Sequence, residues 1–480
     1  MIEAQNYVGG KWSAAKVVEI FSPTDTREKV GSIPDAGISE IEAAVQAAEK
    51  SRTEWRRLGY AVRGNVLHQA ASKIEANLDM LAEVATKEMG KPIAETRGEA
   101  ARTAAICRYY AGEGLHSIGD VIPAVKADTL QFTTREPLGV VGIVTPWNFP
   151  LAIPAWKLAP ALVYGNAVVF KPAELSSLSA YVLINLIVDL FPSGVINLVL
   201  GKGAVAGEAL VQHEGINGIS FTGSTEVGHH IAEVAVKRGA KYQLEMGGKN
   251  PVIVADDANL SLAVDMVVSG AMRSAGQKCT ATSRVIVMDK IRPKFTEALV
   301  ERVKELRVGD PLDAGNYLGP VVSKVQKDKV NDLISTGTKD GARLLVGGSR
   351  DSDIFQNGHF VAPTVFDQVP INATISQEEI FGPVVGIIEA RGVEDAIALA
   401  NNVRYGLSAS IFTDSLDAAM VFVEGVQAGM VRVNEETAGV ELQAPFGGLK
   451  ASSSHSREQG RSAIDFYTHT KTVAIRPPRT

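Results

Sequence analysis

The sequence has little cysteine: two in 480 residues, Cys107 and Cys279. Two thiols cannot staple a disulfide scaffold, and so sparse a use fits a reducing compartment. Long hydrophobic runs are also missing. The apolar stretch from Tyr181 to Phe191 carries Asn185 and Asp189 and falls far short of the roughly 20 residues of a membrane span. Neither sign of charge dominates. Lys and Arg number 48 against 54 Asp and Glu, net −6, which leaves no electrostatic footprint for nucleic acid or an anionic membrane surface. The start, Met1 to Asn6, has no basic and no apolar region of a signal peptide, so a cytoplasmic protein is expected. Collagen and coiled coil are excluded by composition. What is there is 45% hydrophobic and 21% charged, with 45 Gly and 21 Pro. That describes a large globular chain rich in tight turns, with room for about three domains at roughly 150 residues each.

Residues 38–116 read as helical. Ser39-Glu40-Ile41-Glu42 is read as a capping box, followed by Ile41, Ala44, Val45 and Ala48 at helical spacing. A second periodic run, from about Val62 to Met89, is closed by Gly90 and Pro92. From about 138, short β-branched runs begin at Gly139, Ala167, Val195, Gly218 and Lys241, with gaps that hold helices. This is the pitch of βαβ units in a parallel sheet, whose ligands bind at the strands' carboxyl ends. A second set is expected near 251–255, 284–288, 343–347, 384–388, 409–412 and 430–433, hence two α/β domains. Val121 to Pro137 reads as a β-hairpin outside this alternation, and Ile464 to Ile475 as a strand. These two elements could pair with each other or with another subunit.

Cys279 follows Gly276-Gln277-Lys278, so an unusual turn and a cation stand beside the sulfur; a nearby Lys favours the nucleophilic thiolate. Cys107, in an apolar helical run, reads as a core residue. Asn148 lies between Pro146 and Pro150 at the end of the first parallel strand, where a rigid turn can aim its amide at an oxyanion. Glu245 ends the fifth strand before Gly247-Gly248 and is either a base or a surface cap. His229 and His230 are adjacent, not i, i+4, so no metal site is expected. In Phe221 to Gly228 a strand runs into Gly223, and Ser224 can cap a helix whose free N–H groups suit a pyrophosphate, although GxGxxG is absent. Lys171 and Glu174 could hold a ribose or simply face solvent.

TPWNFP, FKPAE, FTGSTEVG, EMGGKNP, GQKC, EEIFGP and PFGGLK occur in the order and approximate spacing of the NAD(P)-dependent aldehyde dehydrogenase superfamily, which the chain resembles over nearly its whole length. The resemblance implies two Rossmann-like parallel-sheet domains plus a β oligomerisation flap. Residues 1–118 and 137–246 would bind NAD(P), 247–447 would be catalytic, and 119–136 with 460–480 would build a homodimer or homotetramer. It further implies that Cys279 attacks the aldehyde to give a thiohemiacetal and then a thioester. Asn148 and the Cys279 N–H would hold the oxyanion, and Glu245 would activate water. Members that transfer the acyl group to coenzyme A lack this carboxylate, so Glu245 favours a free acid as product. Lys171 and Glu174 would bind the adenosine ribose, Trp147 the adenosine side, Gly223, Ser224 and Gly228 the pyrophosphate, and Glu379 and Phe381 the nicotinamide end. Glu174 favours NAD over NADP, with Lys202 a possible offset.

After PFGGLK the chain reads Ala451 to Gly460 without the usual two glycines and one residue longer. That stretch, with Gln277 to Arg284, resembles the α-ketoglutaric semialdehyde (2,5-dioxopentanoate) dehydrogenase branch. A carboxylated substrate calls for a cation, and the candidates are Arg273, then Lys278. Succinate semialdehyde, a broad range of aldehydes, and a catalytically silent protein of the same fold are the alternatives. The shape of the pocket depends on loops near 435–445 and 453–458.

Overall fold

The computed structural model describes residues 1–478 apart from Ala15, Ser117 and residues 349–352. The last two residues of the expected 460–480 segment therefore lie outside the described residues. Four helices follow the N-terminal strands: Ile38–Arg57, Gly59–Glu75, Leu78–Met89 and Ile93–Glu113. The run read from Val62 to Met89 is two helices, and Gly90 ends the second in left-handed backbone at φ +83°. The capping box sits two residues earlier than the sequence reading put it. Ala36 N–H is tied to the Leu200 carbonyl, so the helix starts once the chain leaves that contact, and Glu40 reaches back to the Gly37 N–H at 2.8 Å. Glu42 instead accepts from Gln46 and meets His213.

Two seven-stranded sheets carry the fold. The first runs Lys241–Glu245, Gly218–Thr222, Val140–Thr145, Ala167–Pro172 and Ile196–Leu198, all parallel. Its far edge is finished by the antiparallel strands Asn6–Val8 and Lys11–Ser13, which the sequence reading did not anticipate. Both faces are buried because successive side chains alternate. Val141, Ile143, Val168 and Phe170 pack with helices Gly59–Glu75, Leu78–Met89 and Ile93–Glu113, while Val140, Val169, Ile219 and Phe221 pack on the other face with Ile41, Ala44, Val45 and Ala48 of helix Ile38–Arg57.

Strand order reverses between Val140–Thr145 and Gly218–Thr222, so a crevice opens outside their carboxyl ends. Pro146-Trp147-Asn148 and Gly223-Ser224 leave the sheet there. The second sheet contains Thr364–Asp367, Val384–Ala390, Thr282–Met288, Asn250–Val254, Ser408–Phe412 and Met430–Val433 in that order, parallel, with Arg343–Val346 antiparallel at one edge. Thr364–Asp367 is a strand the sequence reading missed: it is only four residues long and follows Pro363.

The chain crosses from one sheet to the other within Met246-Gly247-Gly248-Lys249. Glu245 therefore ends one sheet at the entrance to the other. Val121–Ile122, Leu130–Pro137 and Thr468–Ile475 form a separate antiparallel three-stranded sheet, so the two outlying β elements pair with each other. The tail differs from the single strand read from Ile464: Ala463–Tyr467 is a short helix packed beneath the first sheet.

Candidate active site

Cys279 stands at the end of a backbone run that few sequences tolerate. Ser274 (φ +55°), Ala275 (φ +51°) and Gly276 (φ +70°) are all left-handed, and the first two are not glycine. Two contacts hold the run. The Glu95 carboxylate accepts from Ser274 Oγ at 2.5 Å and from its N–H at 3.1 Å. A Cβ on Gly276 would run into the Gly382 carbonyl, so this loop presses on the segment that carries Glu379 and Phe381.

The Asn148 Nδ2 donates to the Gln277 carbonyl at 2.9 Å, which fixes the amide beside the nucleophile. An amide nitrogen carries two hydrogens, and the second is free to meet an oxyanion. The N–H groups of Cys279 and Thr280 also face the sulfur and draw its pKa down. Burial, with the charges of Glu379 and Glu245, outweighs them and pushes the thiol up to about 12. The expectation that Lys278 favours the thiolate is corrected here. Its ammonium turns away to the Ser269 carbonyl at 3.2 Å, and its own pKa is lowered by burial.

Glu245 is buried, not a surface cap. Its Oε2 accepts from Ser453 Oγ, and its Oε1 has no hydrogen-bond partner. Burial first, and then the charge of Glu458, hold this carboxyl well above the usual range, against the Ser453 hydrogen bond and the charges of Lys157 and Arg457. Glu458 pairs with the fully buried Lys157, which also donates to Ser220 Oγ at 3.0 Å. Ser453, Glu458 and Lys157 were missed in the sequence. Ser453 and Glu458 lie in the stretch that departs from the usual family pattern.

The crevice of the first sheet fits a dinucleotide. Lys171 and Glu174 approach to 3.7 Å at the end of the second strand, with burial lowering the lysine's pKa. Ser224 caps helix Thr225–Lys237, its Oγ accepting from the Val227 N–H at 3.4 Å. A Cβ on Gly228 would collide with Met246 Sδ, and one on Gly223 with the Phe221 ring; the backbone there is kept bare and close. Glu379 Oε1 accepts from the Gly248 N–H at 3.0 Å, and burial raises its pKa. Trp147 meets the Phe381 ring edge-on, with ring centres 5.4 Å apart. Lys202 pairs with Asp35 at 3.7 Å. Unpartnered buried oxygens remain on Thr145, Asn148 and Thr222, at or just beyond the strand ends. Among the described residues no group of three or more His, Cys, Asp or Glu could hold a metal ion.

A cavity of about 380 Å³ opens onto Cys279, with Phe149, Ile153, Trp156 and Phe446 among its walls. Arg273 and Lys278 both line it, as do Lys91 and Arg102. Arg273 is exposed and lies 5.8 Å from the Tyr317 ring, and the neighbouring Tyr317 hydroxyl raises its pKa. Lys91 is paired with Glu99 at 2.6 Å. Cys107 is packed in the core of the first domain with its thiol pushed up to about 12 by burial, far from this chemistry.

The sequence model of the aldehyde dehydrogenase family matches residues 11–473. The chain is 50% identical to the α-ketoglutaric semialdehyde dehydrogenase of Bacillus subtilis, over 98% of each chain. It is 41% identical to the α-ketoglutarate semialdehyde dehydrogenase of Haloferax volcanii, again over 98% of both. The crystal structure of betaine aldehyde dehydrogenase from Staphylococcus aureus in complex with NAD+ is similar at a TM-score of 0.96 and 33% identity, covering 99% of this chain and 95% of that one.

Proposed function

This chain belongs to the aldehyde dehydrogenase family and oxidises aldehydes with NAD(P), and from that premise we propose that its substrate is α-ketoglutaric semialdehyde, released as the free acid. The observation that carries the chemistry is the convergence at one junction of the Cys279 thiol, the Asn148 amide with a hydrogen to spare, and the buried Glu245 with one free oxygen. The substrate reading rests on the semialdehyde relatives and on the cations around the cavity.

Cys279 gives its thiol proton to solvent, and the thiolate forms a bond to the aldehyde carbon as the C=O π pair moves onto oxygen. The oxygen that becomes an oxyanion is met by the Asn148 Nδ2 hydrogen and the Cys279 N–H. Lys171, Glu174, Gly223, Ser224, Gly228, Trp147, Glu379 and Phe381 would hold NAD(P), whose chemistry there would be to accept hydride from the carbon bonded to Cys279, the oxidation that turns the thiohemiacetal into a thioester. Glu245 then removes a proton from water as the water adds to the thioester, and the Cys279 sulfur leaves with the acid released. Arg273 and Lys278 are cations on the cavity wall that a carboxylated substrate could meet, with Glu95 and Glu436 beside them.

Glu174 offers a carboxylate to the ribose hydroxyls and repels a 2′-phosphate, so NAD is the preferred cofactor. Residues 1–118 and 137–246 form the cofactor domain and 247–447 the catalytic domain. The flap, 119–136 with 460–480, builds a homodimer or homotetramer. A nucleophile that must stay reduced suits the cytoplasm.

The test is steady-state kcat/KM for α-ketoglutaric semialdehyde, succinate semialdehyde, hexanal and benzaldehyde, each with NAD and NADP. A lead of about 100-fold for the carboxylated substrates is expected, roughly 2.7 kcal/mol of transition-state discrimination. A flat profile would make the enzyme a generalist.

A further inference from the structure

The wall of the cavity above Cys279 includes two residues whose buried donor atoms have no hydrogen-bond partner in the protein. The Arg102 Nη2 and the Trp156 indole Nε1 each lack a hydrogen-bond partner, and both residues line the cavity. They lie together, the Arg102 guanidinium carbon 5.9 Å from the Trp156 ring centre. Each is carried by a packed helix, Ile93–Glu113 and Ala152–Val163. Trp156 is further fixed by stacking on Phe446 at 6.1 Å.

The other cations of the wall are occupied. Lys91 holds Glu99, Lys278 donates to a carbonyl, and Arg273 faces the Tyr317 hydroxyl with Glu95 and Glu436 nearby. For Arg102 the carboxylate that acts on its charge is the exposed Glu441.

Buried donors are almost always satisfied, and an arginine stays charged at any working pH. Guanidinium and indole N–H are both donors only. The ligand end that satisfies them must therefore be all acceptor and negatively charged. A 2-oxo acid end has this character, with two carboxylate oxygens and an adjacent ketone oxygen. We infer that Arg102 and the Trp156 N–H form the subsite for the 2-oxo acid end of the substrate, opposite the aldehyde that meets Cys279. This rests on the semialdehyde reading above and names the residues that make the distinction.

The experiment compares wild type, Arg102→Met and Trp156→Phe on α-ketoglutaric semialdehyde and on pentanal, an uncharged aldehyde of the same carbon count. Arg102→Met should lower kcat/KM for the oxo acid substrate by about 100-fold and change pentanal by less than about threefold. Trp156→Phe keeps the ring and removes the N–H, and should cost about tenfold on the oxo acid substrate alone. If Arg102→Met fails to fold, judged by its melting temperature, Arg102→Gln takes its place with the same expectation. Equal losses on both substrates, or no loss on either, overturn the subsite. A wild type with no preference for the carboxylated aldehyde would instead overturn the substrate reading. A wild-type preference that survives in the variants overturns Arg102 and Trp156 and leaves that reading standing.

Discussion

At the scale of single residues, the site stores its reactivity in protonated form. The Cys279 thiol is pushed up to about 12 by burial and by the carboxylates of Glu379 and Glu245, so at neutral pH nearly all of it carries its proton. Because the thiolate is the reactive form, alkylation of Cys279 by iodoacetamide in the cofactor-free enzyme should rise about tenfold per pH unit from pH 7 to pH 10. Peptide mass spectrometry would follow it, and a plateau near pH 8 would contradict the buried-thiol account. Glu245 has a separate task. Glu245→Gln keeps the shape and removes the base, so it should give one equivalent of reduced cofactor per site in a rapid burst. Steady-state kcat should then fall by about 10²–10⁴-fold, with the acyl group recoverable on Cys279.

Ser453 tunes the same carboxyl. Its hydroxyl favours the charged form of Glu245, and removing it in Ser453→Ala raises an already elevated pKa further. The alkaline-going rise of kcat should then move to higher pH, so activity lost near pH 7 returns as the pH increases. A uniform loss at every pH would assign Ser453 a merely structural part.

At the scale of elements, the backbone at residues 274–276 decides where the sulfur sits. Three consecutive left-handed residues hold only while Glu95 clasps Ser274 from helix Ile93–Glu113. Glu95→Ala should let the loop relax and lower kcat by about 10–100-fold, since misplacement of a nucleophile by an ångström is enough for such a loss. A near-normal kcat with pentanal would remove Glu95 from that role.

This also marks where the sequence stops being readable. The parallel strands were legible because buried β-branched runs recur with helices between them, and the Pro-bracketed Asn148 was legible because prolines fix its turn. Gly276 announced one left-handed residue; Ser274 and Ala275 could not, because ordinary residues reach that conformation only under tertiary constraint. Glu95 acts on a residue 179 positions away and Ser453 on one 208 away, with no local pattern to betray either. Arg102 looked like any charge on a helix, and only the cavity distinguishes it. The strands Asn6–Val8, Lys11–Ser13 and Thr364–Asp367, three to four residues each, were too short to stand out from their loops.

At the scale of the whole molecule, one surface is unfinished. The sheet of Val121–Ile122, Leu130–Pro137 and Thr468–Ile475 leaves Thr468–Ile475 as an eight-residue edge with no strand on its outer side among the described residues. Such an edge offers unpaired N–H and C=O groups to another strand. Val121, Leu130 and Ile475 are at least half exposed on this same sheet, where a lone domain would gain nothing from them. Internal ion pairs keep the sheet in shape: Lys471 and Arg56 both reach Glu136, and Arg135 reaches Asp465. Leu130→Glu with Ile475→Glu places two charges on that face while leaving these pairs alone. In light scattering after size exclusion, the wild type should have a mass that is a multiple of 51.0 kDa, and the double variant should shift to the single-chain mass. A folded monomeric variant should keep kcat/KM within about threefold. A variant with wild-type mass would move the subunit contact to another face.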